Sequence, residues 1–222
     1  MTDVATGEQR VPEERRPAVA ELGAALRELT EAAVATEVDS STLLDVARQV
    51  RQLVPKLTAV RRERGELPSV DGKSRHERNY NPVVGRGHPY APPLEVEVSP
   101  GKAVGTCVLG LAHEGPPSYA HGGVSAMLLD QMLGHAHAAS GKPGMTVRLN
   151  LRYRRPVPLR TPLLLQAQVV DEDPGRWTES VATITTCQDP DRVLVEAQAR
   201  FVVPSAEQAK RIFGNLRRNT YS

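Results

Sequence analysis

The sequence predicts an α+β domain in which a curled antiparallel sheet wraps around one central helix, with a helical extension on its N-terminal side. Three observations carry this. Six β-rich runs occur near residues 94–99, 102–112, 145–157, 163–171, 176–187 and 193–203. Turn chemistry separates them at Pro116-Pro117, Gly141-Lys142-Pro143-Gly144, Asp173-Pro174-Gly175 and Asp189-Pro190-Asp191. The last four runs follow one another through connections too short for the crossover that parallel strands need, so the pairing is antiparallel. Between the second and third runs lies a helix that is apolar over most of its circumference, with Val124, Met127, Leu128, Leu129, Met132 and Leu133. A single sheet can bury such a helix only by curling around it.

The N-terminal elements follow in order. Residues 1–16 are charged and bounded by Pro12 and Pro17, and read as a disordered tail. From Val19 to about Ala35 the apolar positions Leu22, Ala25, Leu26, Leu29 and Ala33 recur at helical spacing. Asp39-Ser40-Ser41-Thr42 then caps a second helix that runs through Leu43, Leu44, Val46, Ala47, Val50, Leu53 and Val54 to Pro55. The two helices read as a helical hairpin over 17–60. Residues 61–78, rich in Arg, Glu and Gly, read as a linker. The sheet domain spans 79–204, and 205–222 form a C-terminal tail.

Composition excludes several classes of function. Twenty-eight Lys and Arg against 26 Asp and Glu leave a net charge of +2, and the hairpin region through Arg78 is charge-balanced. Neither offers the basic surface that nucleic acid requires, so no nucleic-acid partner is expected. No run of about 18 apolar residues occurs, and the N-terminus has no apolar leader core, so no membrane span is expected and a cytoplasmic location is. Cys107 and Cys187 each lie in a β-like apolar run and read as small core residues, in keeping with a reducing compartment. His135 and His137 stand two apart on a helix and diverge, so no metal site is expected.

The chemistry concentrates at the start of the central helix. Free N–H groups and the positive end of the helix dipole meet there, and Gly122-Gly123 lets a substrate oxygen approach those amides without a Cβ in the way, the outline of an oxyanion hole. Asp130 lies on the same apolar helix, either paired or employed in a buried place or on a strip that meets solvent.

Glu114-Gly115-Pro116-Pro117-Ser118-Tyr119-Ala120-His121-Gly122-Gly123 is similar to the EGPPG-x-x-HGG segment of the hotdog-fold acyl-CoA thioesterases. It resembles the branch that holds the phenylacetyl-CoA thioesterases and the thioesterase superfamily members. Asp130 falls nine residues after His121, as that family's catalytic Asp does, and Asn81-Pro82 through Ala91-Pro92-Pro93 resembles the stretch entering its first strand. The resemblance covers about residues 79–204 and leaves the helical extension outside. It implies hydrolysis of an acyl-CoA thioester with no cofactor beyond the coenzyme A of the substrate. By the same resemblance Asp130 would act as base or nucleophile, Gly122 or Gly123 as oxyanion donor, His121 at the helix entrance, and Thr146 as a holder of water or of the carboxylate. Some superfamily members carry an Asn or Gln about six residues before the HGG histidine to orient the water; Gly115 stands there in this chain.

Spacing adds a constraint. Gly122 and Asp130 are eight residues apart on one helix, about 12 Å along its axis, so one thioester carbon cannot meet both. If both act on one carbonyl, the site is shared between two chains, which implies a homodimer or a dimer of dimers and agrees with the resemblance. Thr146 shares strand parity with Arg148, Asn150, Arg152 and Arg154, opposite Val147, Leu149, Leu151 and Tyr153, and so points away from the core unless the strand is bulged. Arg148, Arg152 and Arg154, with Arg155 and Arg160, suit either coenzyme A phosphates or a solvated strand face. Two other functions compete. One is a non-catalytic acyl-CoA sensor whose hairpin reports the ligand to a partner or to DNA, against which the charge-balanced hairpin and Asp130 count; the other is a hotdog hydratase, which would need an Asp and His pair that the motif does not supply.

Overall fold

A computed structural model describes residues 15–71, 78–92, 94–142, 144–171, 177–213 and 217–218. Helix α1 spans Arg15–Ala35, α2 Ser40–Thr58, β1 Glu66–Leu67, β2 Glu95–Ser99 and β3 Lys102–Val108. A single 3-10 turn follows at Leu111–His113 and then α3 at Gly122–Ala139. The remaining elements are β4 Met145–Tyr153, β5 Pro162–Asp171, β6 Trp177–Thr186, β7 Val195–Val202, α4 Ala206–Phe213 and β8 Arg217–Arg218. Six strands form one sheet in the order β2-β3-β5-β6-β7-β4; every pair is antiparallel as expected, but β4 pairs with β7 at the far edge and not with β5, which follows it in sequence.

Strict alternation puts Ala103, Gly105 and Cys107 of β3 inside, and Ala167, Ala182, Ala197 and Ala199 continue that small-residue surface across β5, β6 and β7. Small side chains on the concave face let α3 approach closely. A Cβ added to Gly105 would come within 2.9 Å of Met132 Sδ. Leu128, Leu129, Met132 and Leu133 are thereby sealed from solvent, and burial of each such side chain is worth about 1.5–3 kcal/mol. The domain is the expected α+β arrangement.

The N-terminal extension departs from the expected hairpin. α2 makes no more than a marginal contact with any element and buries none of its residues; Leu43, Leu44, Val46, Val50, Leu53 and Leu57 all stay exposed. α1 docks on the sheet domain instead, and not through its apolar stripe, since Leu22 and Leu29 face solvent. Its inner face carries Val19, Gly23, Arg27 and Glu31. Gly23 is buried against the Arg86 carbonyl and Gly87, whose Cα would lie 2.8 Å from an added Cβ. Arg27 donates to the carbonyls of Arg86 at 2.8 Å and His88 at 3.0 Å. Backbone groups of the 79–92 segment provide hydrogen-bonding partners that α2 cannot, and they decide which face of α1 is buried.

Other boundaries shift for local reasons. The tail expected over 1–16 lies outside the described residues up to position 14, while Arg15 and Arg16 open α1 with Pro17 in its first turn, where proline costs no hydrogen bond. Asp39 caps α2 as predicted, accepting from the amides of Ser41 and Thr42 at 2.9 and 3.1 Å. The Ser41 hydroxyl, more than the other donors, holds its carboxyl down to about 2. The helix continues through Pro55 to Thr58 rather than stopping at Pro55. Within the expected linker, Val70 is buried, its carbonyl accepts from Arg16 and Asn79, and Leu67 pairs in the short parallel β1-β8 ladder. The expected C-terminal tail contributes α4 and β8. Cys107 is in the core, where burial pushes its thiol up to about 12, but Cys187 is exposed at the end of its strand run.

Gly23→Ala distinguishes a docked from a free α1. In an undocked helix this change stabilises by about 1 kcal/mol; against the Arg86 carbonyl the added methyl forces a shift and a net loss of about 1–3 kcal/mol. Urea denaturation of the variant should therefore show a lower midpoint than wild type.

Candidate active site

The central helix begins where the 110–121 loop returns to the sheet rim. The His121 amide donates to the His113 carbonyl at 2.9 Å and the Gly115 amide to the Tyr119 carbonyl at 2.9 Å, so the loop closes on itself. Glu114 Oε1 accepts from the Ser118 amide at 2.7 Å. Ser118 stands at φ 73°, the left-handed region, at the position where the resembled motif carries glycine. Gly115 has no room for a side chain, because a Cβ would fall 2.7 Å from His121 Cα. No Asn or Gln at that position could orient a water in this loop.

His121 is the N-cap of α3. Its Nδ1 accepts from the Gly123 amide at 3.0 Å, which requires a neutral ring with the proton on Nε2. The two glycines are therefore not equivalent. The Gly123 amide is engaged, whereas the Gly122 amide donates to no group among the described residues. The Gly122 carbonyl accepts from the Tyr153 hydroxyl at 2.9 Å, so the last residue of β4 tethers the first residue of α3. Tyr153 was read from the sequence only as part of an apolar strand face; its reach to the helix start is set by the tertiary packing.

Asp130 lies two turns further along α3, half-buried, on the side not sealed by the sheet. The Thr146 hydroxyl donates to Asp130 Oδ1 at 2.9 Å. Simple alternation would aim Thr146 outward. The register shifts between Thr146 and Arg148, a β-bulge at Val147, and Thr146 consequently pairs with the inward-facing Phe201. Beside Asp130, the Gln131 side-chain oxygen Oε1 accepts from Asn81 Nδ2 at 3.0 Å and its side-chain Nε2 meets His135 Nε2 at 3.0 Å. Asn81 Oδ1 also accepts from the Val83 and Val84 amides. This chain ties the loop before β2 to α3; only the Asn81-Pro82 dipeptide signalled it in the sequence.

Arg148, Arg152 and Arg154 are not brought to Asp130 or Gly122. They stand on the outer face of β4, opposite Leu149 and Leu151. Arg154 forks onto Glu196 at 2.8 and 3.1 Å, with Arg152 3.7 Å from the same carboxylate. Arg148 has no ion-pair partner among the described residues. His137 turns inward and stacks on Phe201 with centroids 4.6 Å apart, away from His135. No cluster of three metal-ligating side chains occurs among the described residues, and no helix there is long and apolar enough to cross a membrane.

A six-stranded antiparallel sheet curled around one central helix defines the hotdog fold. A family model described as "Thioesterase superfamily" matches residues 118–172, the span that holds the helix start, Asp130 and Thr146. The crystal structure of a thioesterase superfamily protein is 35% identical, with a TM-score of 0.71, over 83% of this chain and 94% of that one. This chain belongs to the thioesterase superfamily. The share of this chain in that match exceeds residues 79–204 and the C-terminal segment together, so the likeness reaches into the N-terminal extension. Zebra fish thioesterase superfamily member 2 matches at 23% identity over 50% of this chain and 81% of that one, TM-score 0.47. The PaaI protein of the E. coli phenylacetic acid degradation operon matches at 17% over 49% and 82%, TM-score 0.46.

The left-handed Ser118 supplies a direct test of the loop geometry. Ser118→Gly removes a steric cost of about 1–2 kcal/mol while adding some unfolded-state entropy. The variant should melt about 2–4 °C higher than wild type by differential scanning calorimetry.

Proposed function

We propose that this chain hydrolyses acyl-CoA thioesters to the free acid and coenzyme A, using Asp130 and the Gly122 amide. The observation that carries the reading is the Thr146 to Asp130 hydrogen bond, 2.9 Å long and made possible by a bulge. A carboxylate on an otherwise apolar helix is held in one orientation by a strand that departs from its register to reach it. Membership of the thioesterase superfamily supplies the bond type. The resemblance of residues 114–123 to the acyl-CoA-hydrolysing branch supplies the substrate class.

In this reading the thioester oxygen accepts from the Gly122 N–H, so charge that develops on it meets a preorganised donor at the positive end of a helix. With the Gly123 amide engaged by His121, Gly122 is the principal donor and His121 the cap that orients it. Asp130 either takes a proton from the attacking water or attacks the carbonyl carbon itself, forming an anhydride that water then opens. Both routes break the carbon–sulfur bond, release coenzyme A as thiolate to be protonated by solvent, and leave the acid. Thr146 orients the carboxylate.

Gly122 and Asp130 stand about 12 Å apart along one helix axis, so the site is completed by a second copy, with Asp130 of the partner subunit facing Gly122. The free edge of β4 supports this arrangement. β4 ends the sheet order, its residues Met145, Val147 and Tyr153 are 40%, 51% and 54% exposed, and an unpaired edge of this kind is a surface for strand pairing. Of the three arginines, Arg154 is forked onto Glu196, with Arg152 nearby, so Arg148 is the one with no ion-pair partner among the described residues and the first choice for a phosphate of coenzyme A.

Thiol release from short, long and aromatic acyl-CoAs tests the reading. Asp130→Asn should stay folded and lose at least about a hundredfold in kcat, and turnover by the variant at the wild-type rate would overturn it. Gly122→Pro removes the donor at low structural cost. Proline is favoured at the first helical position, and His121 already holds the extended conformation, φ −61° and ψ 138°, that a following proline requires. Alone it should be about as inactive as Asp130→Asn. Mixed and allowed to exchange subunits, the two inactive variants should recover roughly a quarter of wild-type activity, because half the dimers then hold one intact composite site.

A further inference from the structure

The N-terminal helix reaches the loop that leads into the active site through one side chain. Glu31 Oε1 accepts from the Leu111 amide at 2.9 Å, and Oε2 from the Ala112 amide at 3.1 Å. These are the free donors of the 3-10 turn Leu111–His113, which a carboxylate satisfies two at a time. Gly110 makes room for it, since a Cβ there would lie 2.5 Å from Glu31 Oε2 and 2.8 Å from Cδ. The Arg160 guanidinium stands 3.9 Å away on the far side. Partial burial pushes the Glu31 carboxyl up, but the two amide donors, Arg160 and His113 together hold it below the ordinary carboxylate value.

The turn that Glu31 holds is continuous with the helix start. His113 is its last residue, with Nε2 on the Tyr90 carbonyl at 3.0 Å, and the His113 carbonyl accepts from the His121 amide at 2.9 Å. His121 in turn caps Gly123 and precedes Gly122. A contact made 80 residues upstream in the chain is thereby linked to the helix start through His113 and His121.

We propose that Glu31 is a positioning residue for the thioesterase site, clamping the 110–113 turn so that the Gly122 amide is held at its working angle. This rests on the proposed thioester hydrolysis. It assigns to α1 a part in the site, which the resemblance to residues 79–204 did not include. Glu31→Gln keeps the shape and one acceptor but turns an NH2 group toward an amide donor, so one of the two bonds is lost. Arg27→Gln serves as the comparison, because it weakens the docking of the same helix without touching the turn.

Full-length wild type and both variants are compared by acyl-CoA thiol release, thermal melting and hydrogen exchange followed by mass spectrometry. Both variants should melt lower. Only Glu31→Gln should lose about tenfold in kcat, with KM within about twofold, and exchange faster over residues 109–123. Equal kcat in wild type and Glu31→Gln, or equal losses in both variants, would overturn the assignment and leave α1 as a structural support. If wild type itself releases no thiol, the hydrolysis reading falls and the catalytic part of this one with it. Unchanged exchange over 109–123 in Glu31→Gln would then remove the clamp as well.

Discussion

The structure depends on enclosing an apolar helix within one sheet. α3 turns a broad apolar face, Val124, Leu128, Leu129, Met132, Leu133 and Ala136, to the concave side of the sheet, while Asp130, Gln131 and Gly134 lie on its less buried side. The strands answer with alanine and glycine on the concave face, so that the helix backbone comes close and Leu128, Leu129, Met132 and Leu133 meet no water. Once enclosed, α3 cannot rotate or slide without opening cavities that cost several kcal/mol. Its first residue and its one carboxylate become fixed reference points, and the rest of the site is built by bringing polar groups to them.

Those groups arrive from distant parts of the chain, and each arrival depends on a local departure from regularity. Thr146 reaches Asp130 because β4 is bulged at Val147. Tyr153 reaches the Gly122 carbonyl because β4 ends beside the helix start. The loop between β3 and α3 folds tightly enough that Gly115 admits no side chain and Ser118 is forced to a left-handed conformation. In the hotdog frame such irregularities sit at the rim, where the sheet stops enclosing the helix and the helix dipole opens toward solvent.

Much of this was legible in the sequence. The strand runs, the glycine pair and the Asp39 cap rest on local rules of alternation, turn chemistry and capping, and the structure keeps them. The helical extension was not legible in the same way. Two helices with apolar stripes suggest a hairpin, yet α1 turns Arg27, Glu31 and Gly23 inward and leaves Leu22 and Leu29 outside. Backbone carbonyls and amides of two loops outcompeted the apolar stripe, and nothing in the periodicity of α1 announces which backbone groups will lie beside it. Pro55 inside α2 and the buried Val70 in an apparent linker escaped for a related reason, since each is governed by surroundings rather than by its neighbours in sequence.

The sequence by itself determined the fold class, the antiparallel sense of the sheet, the position of the central helix and the choice of Gly122, His121 and Asp130 as the residues to watch. These follow from short-range periodicity and from a motif whose chemistry is local to one helix. Only the tertiary structure decided which glycine amide is free, which way Thr146 points, which arginine is forked onto Glu196 and which helix face meets the domain. The first rests on the orientation of the His121 ring at the helix cap. The last three depend on a hydrogen-bonding partner distant along the chain or on a one-residue slip of register, and a slip of one residue reverses the face of a strand without leaving a trace in its composition.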